Sequence, residues 1–156
     1  HQLGAVDILI HTVGGYQGGQ YLQDIAVPDW RKMMDLNLNT AFYCAKHALA
    51  HMAAKGGKII TISALAAIEV KSKRAAYIVA KSGLIALTRA IAAEGKAFNV
   101  QANVIAPGII LTDANVRDMP DADHARWVKP DDIADLILQL CSPGAAALTG
   151  SLIRVP

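Results

Sequence analysis

Tyr77 and Lys81 are the two residues of this sequence whose types and spacing best suit catalysis. They lie four positions apart in the stretch "YIVAK", and in a helix this spacing puts both side chains on one face. A phenol has an unperturbed pKa of about 10, and a neighbouring ammonium favours the phenolate. The pair therefore predicts a tyrosine that exchanges a proton with a bound ligand. The alternative is a solvated helix face that carries the two side chains without a function.

A second candidate is the glycine-rich stretch "HTVGGYQGGQ", residues 11–20. A glycine-rich turn between a strand and a helix is typical of phosphate binding. These glycines do not follow the order GxxxGxG, and the next recognisable helix start is at Pro28, too late for a helix N-terminus to face a phosphate. We interpret the stretch as a loop beside a ligand rather than as a phosphate cradle.

The elements that must position these residues alternate along the chain. Strands are predicted for "VDILI", "KIITIS", "VQANVIA" and "SLIRV", and helices for about Pro28–Ala54, Ala75–Phe98 and Pro130–Leu140. This alternation is typical of a parallel sheet covered on both faces, whose ligands bind outside the carboxyl ends of the strands. Between Pro107 and Lys129, Pro, Asp and Gly interrupt any periodicity, which predicts a mobile segment over an active-site edge.

The composition indicates one globular domain and excludes several classes of partner. The chain has 156 residues, of which 53% are hydrophobic and 18% charged, with 15 basic and 13 acidic side chains. This balance predicts no nucleic-acid surface and no membrane partner. We find no stretch of membrane-spanning length and no signal peptide, so we expect a cytoplasmic protein. Cys44 and Cys141 are expected to be buried thiols of a reducing compartment.

Motifs along nearly the whole chain carry a resemblance to a known family. In identity, order and spacing, the chain resembles the short-chain dehydrogenase/reductase family through "VDILIHTVGG", "WRKMMDLNLNTAF", "GGKIITISA", "YIVAKSGLIALTRAIAAE", "NVIAPGIILTD" and "LTGSLIRV". The resemblance implies a Rossmann-like, doubly wound parallel sheet and an oxidoreductase that uses NAD or NADP on a small-molecule substrate.

The resemblance also implies roles for individual residues. Tyr77 would protonate the substrate as hydride arrives, and Lys81 would hold the nicotinamide ribose and lower the pKa of the tyrosine. Asn37 would support a water molecule of the proton relay. The cofactor contacts implied in this way are those of Val13, Gly14, Lys81, Pro107, Gly108, Ile110 and Thr112.

Two departures from the family pattern bear on the substrate. Ala64 stands where the family has a catalytic serine, and Ser63 is its neighbour, on the opposite face of a strand unless a bulge turns it. "HTVG" replaces the family's "NNAG", which puts His11 and Thr12 at the asparagine positions. Ala64 together with "GGYQGG" resembles the dihydropteridine reductases, which implies a quinonoid dihydropterin as substrate, with Tyr16 stacked on its ring. An ordinary ketone or 3-oxoacyl group is the alternative substrate, and a fragment without catalytic activity is the alternative function.

The family's opening strand, phosphate loop and helix have no counterpart in these residues. We therefore expect residues 1–156 to form a single partial NAD(P)-binding domain, with the first strands of the sheet missing and a weak affinity for the cofactor when isolated. The choice between NAD and NADP cannot be predicted, because the residues that make it are absent.

A metal site is not expected. His47 and His51 share a helix face, but no acidic residue lies between them and no third ligand follows, so a packed face is the better interpretation. In the family, the helices that carry His47 and Tyr77 commonly form a contact between subunits, which implies a homo-oligomer. The basic cluster from Lys71 to Tyr77 could attract an anion, although a solvated loop explains it as well.

Overall fold

The computed structural model describes residues 5–156 as a four-stranded parallel sheet flanked by helices. The strands are β1 (Ile8–His11), β2 (Gly57–Ile62), β3 (Val100–Pro107) and β4 (Leu152–Val155). The helices are α1 (Val27–Met34), α2 (Thr40–Met52), α3 (Ala75–Gly95), α4 (Asp113–Asp118) and α5 (Pro130–Cys141).

The strands lie side by side in chain order, β1-β2-β3-β4, and every pair is parallel. Parallel neighbours need a crossover, and here each crossover contains helices that return the chain to the same end of the sheet. All four carboxyl ends therefore meet at one edge, at His11, Ile62, Pro107 and Val155. This arrangement confirms the predicted α/β fold with a doubly wound parallel sheet.

The core lies on both faces of the sheet. On one face, α2 and α3 pack against the strands through a cluster of small and apolar residues that includes Ala48, Met52, Ile59, Ile91 and Ala102. On the other face, α5 covers β2 to β4 through Ile60, Ile105, Leu136 and Leu140. The edge strand β1 is covered on one face only, since Ile8 and Ile10 remain 46% and 43% exposed.

The predicted helix from Pro28 to Ala54 is present, with an irregular turn inside it. Residues 27–52 are helical throughout, but Asp35–Asn39 form a π-helical turn between α1 and α2. Such turns are rare and often lie at functional sites. Asn37 is the buried residue of this turn.

The irregular segment between Pro107 and Lys129 is more ordered in secondary structure than its composition predicts. It contains α4, whose first turn is capped by the Thr112 side chain, and a 3-10 turn at His124–Arg126 capped by Asp123. The capping oxygens accept hydrogen bonds from backbone amides that would otherwise lack partners. The mobility of this segment remains a prediction.

Three expectations about exposure are wrong. Cys44 is exposed and Cys141 only half-buried, because both lie at the margins of the packed faces of their helices. His47 and His51 are exposed rather than packed, since the buried face of α2 is formed by Ala41, Ala45, Ala48 and Met52.

The expectation that no stretch reaches membrane-spanning length also needs correction. The helical stretch Ala75–Phe98 is long and apolar enough for this by length and composition, and half of its apolar window is buried inside the protein. A core helix of an α/β domain is buried on several sides and so passes the same test.

Candidate active site

The carboxyl edge of the sheet brings most of the predicted site residues together. The loop after β1 supplies Gly14 and Gly15, the helical run 27–52 supplies Asn37, and α3 supplies Tyr77 and Lys81. The same edge also carries Ser63 and Ala64, directly after β2, and Gly108, directly after β3. This is the edge at which open parallel sheets bind ligands.

Lys81 is anchored at the end of β2. Its Nζ donates a hydrogen bond to the backbone carbonyl of Ile62 at 2.9 Å, and the side chain is only 5% exposed. Burial disfavours the charged ammonium and lowers the pKa of Lys81 to about 8. A cation that is half-titrated at about pH 8 therefore lies at the carboxyl edge of the sheet.

Asn37 fixes the loop after β1 rather than presenting its amide to a ligand. Its Oδ1 accepts from the Gly15 backbone N–H at 3.0 Å, and its Nδ2 donates to the carbonyls of Gly15 and Met33 at 3.0 and 3.1 Å. Both N–H groups of Nδ2 and one lone pair of Oδ1 are thus engaged with backbone. The support of a relay water by Asn37 stays a prediction.

At Gly14, the backbone of this loop lies close to the side chains of Lys81 and Asn37. A Cβ at this position would lie 2.8 Å from Nζ of Lys81 and 2.9 Å from Oδ1 of Asn37, closer than real Cβ contacts allow. Gly14 is itself exposed, as is its neighbour Val13. Only glycine leaves room here for Lys81 and for a ligand that approaches the backbone from outside.

Tyr77 is half-buried, and its ring meets the edge of Tyr16 with the centroids 5.1 Å apart and an interplanar angle of 84°. Burial, and then the proximity of Tyr16, raise the pKa of Tyr77 above its ordinary value, whereas the Arg74 guanidinium lowers it. Lys81 is not among the causes of this shift, and the lowering of this pKa by Lys81 stays a prediction. The Lys81 ammonium is directed to the Ile62 carbonyl, and the cation that acts on the phenol is Arg74.

Ser63 does not replace the missing serine. Its hydroxyl donates to the backbone carbonyl of Lys81 at 2.9 Å and is buried on the α3 side of the sheet. Ala64 is extended and also buried. Because Ser63 serves to attach β2 to α3, the bulge that would turn it toward a ligand is not formed.

The segment after β3 forms a second wall. The Gly108 N–H donates to the Val155 carbonyl at 2.8 Å, which keeps this turn on the sheet after the buried Pro107. The Ile110 carbonyl accepts from Nδ2 of Asn115 at 2.7 Å, and the exposed Thr112 caps α4. These contacts hold Ile110 and Thr112 near the edge without bringing them into contact with Tyr77 or Lys81.

Two residues that influence the site were not singled out from the sequence. Arg74 acts on Tyr77, and its position three residues before Tyr77 was the available indication. Asn115 positions the Ile110 carbonyl through a contact that no short motif encodes. Within residues 5–156, no group of three or more His, Cys, Asp or Glu side chains could hold a metal ion.

Chemically, the arrangement offers one proton donor, one buried cation and a glycine loop at a sheet edge. A phenol with a raised pKa stays protonated at neutral pH, so it can donate a proton to a ligand atom that gains negative charge. The Gly14 loop and the Lys81 ammonium lie where the hydroxyl groups of a bound sugar could be held.

Comparisons with known proteins agree with this geometry. The family model described as "Enoyl-(Acyl carrier protein) reductase" matches residues 1–155. The chain is 33% identical to "Uncharacterized oxidoreductase YohF" of Escherichia coli and 32% identical to the 7alpha-hydroxysteroid dehydrogenase of the same organism. Both matches cover 99% of this chain and 64% of the relative.

Among solved structures, acetoin dehydrogenase from Enterobacter cloacae superposes with a TM-score of 0.88 at 30% identity, over 99% of this chain and 64% of that one. The chain therefore spans about 64% of the length of these relatives. Since the family model matches almost every residue and the superposition extends over the whole chain, the protein belongs to the short-chain dehydrogenase/reductase family.

Proposed function

We propose that this chain is the catalytic portion of an NAD(P)-dependent oxidoreductase in which Tyr77 is the proton donor. The observation that carries the proposal is the half-buried Tyr77 on the same helix as Lys81, whose ammonium is fixed at the carboxyl edge of the sheet. Family membership and the names of the relatives support the reaction class.

The residues at this edge fit a nicotinamide cofactor. Gly14 has no room for a Cβ, so its backbone stays open to a ligand, and Lys81 has N–H donors that are not used by the Ile62 carbonyl and could reach ribose hydroxyls. The residues proposed to hold the cofactor are Val13, Gly14, Lys81, Pro107, Gly108, Ile110 and Thr112. When bound, the cofactor supplies the hydride, so the protein has only to place the reactants and supply a proton.

In the proton step, the Tyr77 hydroxyl donates to the substrate atom that gains charge. Because burial raises the pKa of Tyr77, the phenol stays in its acid form and is ready to donate in the direction of reduction. Asn37 keeps the Gly14–Gly15 loop in place through Gly15, and its backbone would support the relay water that returns a proton to Tyr77.

For the substrate we propose a quinonoid dihydropterin. Ala64 offers no hydroxyl to a carbonyl oxygen, and Ser63 is engaged with the backbone of α3. A conjugated ring needs such a hydroxyl less than an isolated carbonyl does. Tyr16 is 58% exposed and lies against Tyr77, so it offers a surface for a flat heterocycle.

A ketone or 3-oxoacyl group remains the second candidate substrate. It is favoured by relatives whose names are those of alcohol dehydrogenases, such as the 7alpha-hydroxysteroid and acetoin enzymes. A non-catalytic role is the third candidate and predicts no turnover with either substrate.

The test is an assay of the protein expressed from its full reading frame, with NADH and NADPH each supplied. Quinonoid dihydropterin and acetoin are the two substrates, and Tyr77→Phe and Tyr43→Phe are the matched variants. We expect Tyr77→Phe to lower kcat about 100-fold or more, and Tyr43→Phe, on α2, to leave it unchanged. Turnover of acetoin alone would exclude the pterin, and full activity of Tyr77→Phe would exclude the assigned proton donor.

We further propose a cytoplasmic protein that assembles as a homo-oligomer through the helices that carry His47 and Tyr77. This proposal rests on the dehydrogenases among its relatives and on the large apolar and aromatic side chains that α2 and α3 expose, which are Phe42, Tyr43 and Val79.

A further inference from the structure

His11 is a buried polar residue that the proposed mechanism does not use. It is the last residue of β1 and is 3% exposed, yet within residues 5–156 neither Nδ1 nor Nε2 has a hydrogen-bond partner. A neutral imidazole has one donor and one acceptor, and leaving both unpaired in the interior is unfavourable. Buried polar groups without partners are rare in native proteins and call for an explanation.

The strand register places the imidazole on the face of the sheet that is covered by α3, the helix that carries Lys81. His11 pairs with Thr61 of β2, so both side chains lie on the same face of the sheet. The Thr61 hydroxyl lies 2.7 Å from the hydroxyl of Thr88, which shows that this face is the one covered by α3. On the same helix, Lys81 reaches the Ile62 carbonyl, one residue beyond Thr61.

The charges around the ring agree with this placement. Burial lowers the pKa of His11 and the Lys81 ammonium lowers it further, while the backbone of His11 itself offsets part of this, so the net shift favours the neutral imidazole. Within residues 5–156, the buried polar groups on this side of the sheet also include the hydroxyls of Thr61, Ser63 and Thr88 and the amide of Asn37, and none of them titrates in this range.

Lys81 has unused hydrogen-bond donors and His11 has an unused acceptor, but the two side chains do not bond to each other. The ammonium has three N–H donors, of which one is used by the Ile62 carbonyl, and the imidazole has a free acceptor. No direct hydrogen bond joins the two groups. A molecule that accepts from the ammonium and donates to the ring would give the ammonium a further acceptor and would pair one of the two ring nitrogens.

We propose that His11 binds one internal water molecule that bridges its ring to Nζ of Lys81, and that His11 is thereby a positioning residue for the Lys81 ammonium. A ring this deeply buried admits only a very small ligand, and internal waters typically make about three hydrogen bonds to otherwise unpaired groups. The bridge is a property of the folded protein. Its effect on catalysis rests on the proposed function of Lys81.

The first test needs no variant. A crystal structure of the full-length protein at a resolution that shows ordered waters should place a water within hydrogen-bond distance of both a His11 ring nitrogen and Lys81 Nζ. Carbon atoms alone around both ring nitrogens, or a direct bond between the ring and the ammonium, would overturn the proposal.

The second test compares His11→Leu and His11→Asn through the titration of Lys81, followed by NMR of the protein labelled with 13C at lysine Cε. Without the water, the ammonium loses solvation, so His11→Leu should lower the pKa of Lys81 by about one further unit. His11→Asn keeps a polar group and should stay close to the unmodified protein. If all three proteins titrate alike, His11 merely fills space.

Neither measurement depends on turnover, so the bridge can be confirmed or rejected even if no substrate is found. If the enzyme is active, His11→Leu should shift the pH profile of kcat/KM in the same direction as the Lys81 titration. The profile of His11→Asn should match that of the unmodified protein. If His11→Leu does not fold, the crystal structure and His11→Asn decide the question.

Discussion

At the scale of single residues, the phenol of Tyr77 stays in its acid form because burial outweighs the opposing effect of Arg74. Burial and the Tyr16 ring raise the pKa of Tyr77, and Arg74 offsets part of this rise. Arg74 also lies over the Tyr16 ring, 5.7 Å from its centroid. The guanidinium therefore helps to set the pH range in which Tyr77 can act as a base.

This arrangement makes a prediction about Arg74→Gln. Loss of the cation should raise the pKa of Tyr77, so the pH profile of kcat/KM for alcohol oxidation, which needs the phenolate, should move to higher pH. Lys71→Gln, in the same basic cluster but exposed, is the matched control and should leave the profile in place. Equal shifts in both variants would indicate a general effect of net charge.

The residue pair itself could be predicted from sequence, but the electrostatics could not. The four-residue spacing of Tyr77 and Lys81 indicates a shared helix face. The direction of each pKa shift depends instead on burial and on neighbours that are distant along the chain, such as Tyr16 beside Tyr77. Spacing along the chain contains no information about such contacts.

At the scale of elements, the π-helical turn at Asp35–Asn39 turns the Asn37 amide onto the loop after β1. The predicted helix through this region was right, because an apolar face continues from α1 into α2. The turn could not be predicted, because no local pattern marks it, and the hydrogen bonds that Asn37 makes from it reach Gly15, 22 residues earlier. The strands could be predicted from sequence, because β-branched runs bounded by Gly, Pro or Asn mark them locally.

Asn37 and Asn39 both lie in this turn but make different contacts, so the Asn39 variant is a matched control for the Asn37 variant. Asn37→Ala would leave the backbone N–H and carbonyl of Gly15 without partners, so we expect the free energy of unfolding to fall by about 2 kcal/mol or more. Asn39 donates to the Asp35 carboxylate on the exposed side, and Asn39→Ala should cost less than about 0.5 kcal/mol. Urea unfolding of both variants checks this, and similar losses would show that Asn37 does not fix the loop.

At the scale of the whole molecule, burial of Lys81 makes the stability of the fold depend on pH. The pKa of Lys81 is about 8 in the folded protein and 10.5 in the unfolded chain. Between these values the unfolded chain binds a proton that the folded protein has released, so stability rises with pH. Below pH 8 both states are charged, and the fold carries the full cost of burying the ammonium.

The expected result is that the free energy of unfolding of the unmodified protein rises by about 2 kcal/mol, relative to Lys81→Met, between pH 7.5 and pH 10. Urea unfolding at several pH values gives this difference, and groups that titrate in both proteins cancel from it. A constant difference across the range would show that Lys81 keeps an ordinary pKa in the folded state.

The outer surface of the molecule bears on assembly. Phe42 is 45% exposed on α2 and meets Tyr43 edge-on, with ring centroids 5.5 Å apart. Aromatic side chains exposed together mark surfaces that other proteins cover. A two-fold contact through α2 and α3 would pair this surface with its own copy.

Phe42→Glu would place a carboxylate on that surface of each copy. In a two-fold contact, each carboxylate would be buried against the other copy. We therefore expect sedimentation velocity to show the unmodified protein as an oligomer and Phe42→Glu as smaller species. Leu138→Glu is the matched control, since Leu138 is an exposed apolar residue on α5, on the opposite side of the sheet. Assembly through α2 and α3 is contradicted if the unmodified protein sediments as a monomer, or if Leu138→Glu alone dissociates it.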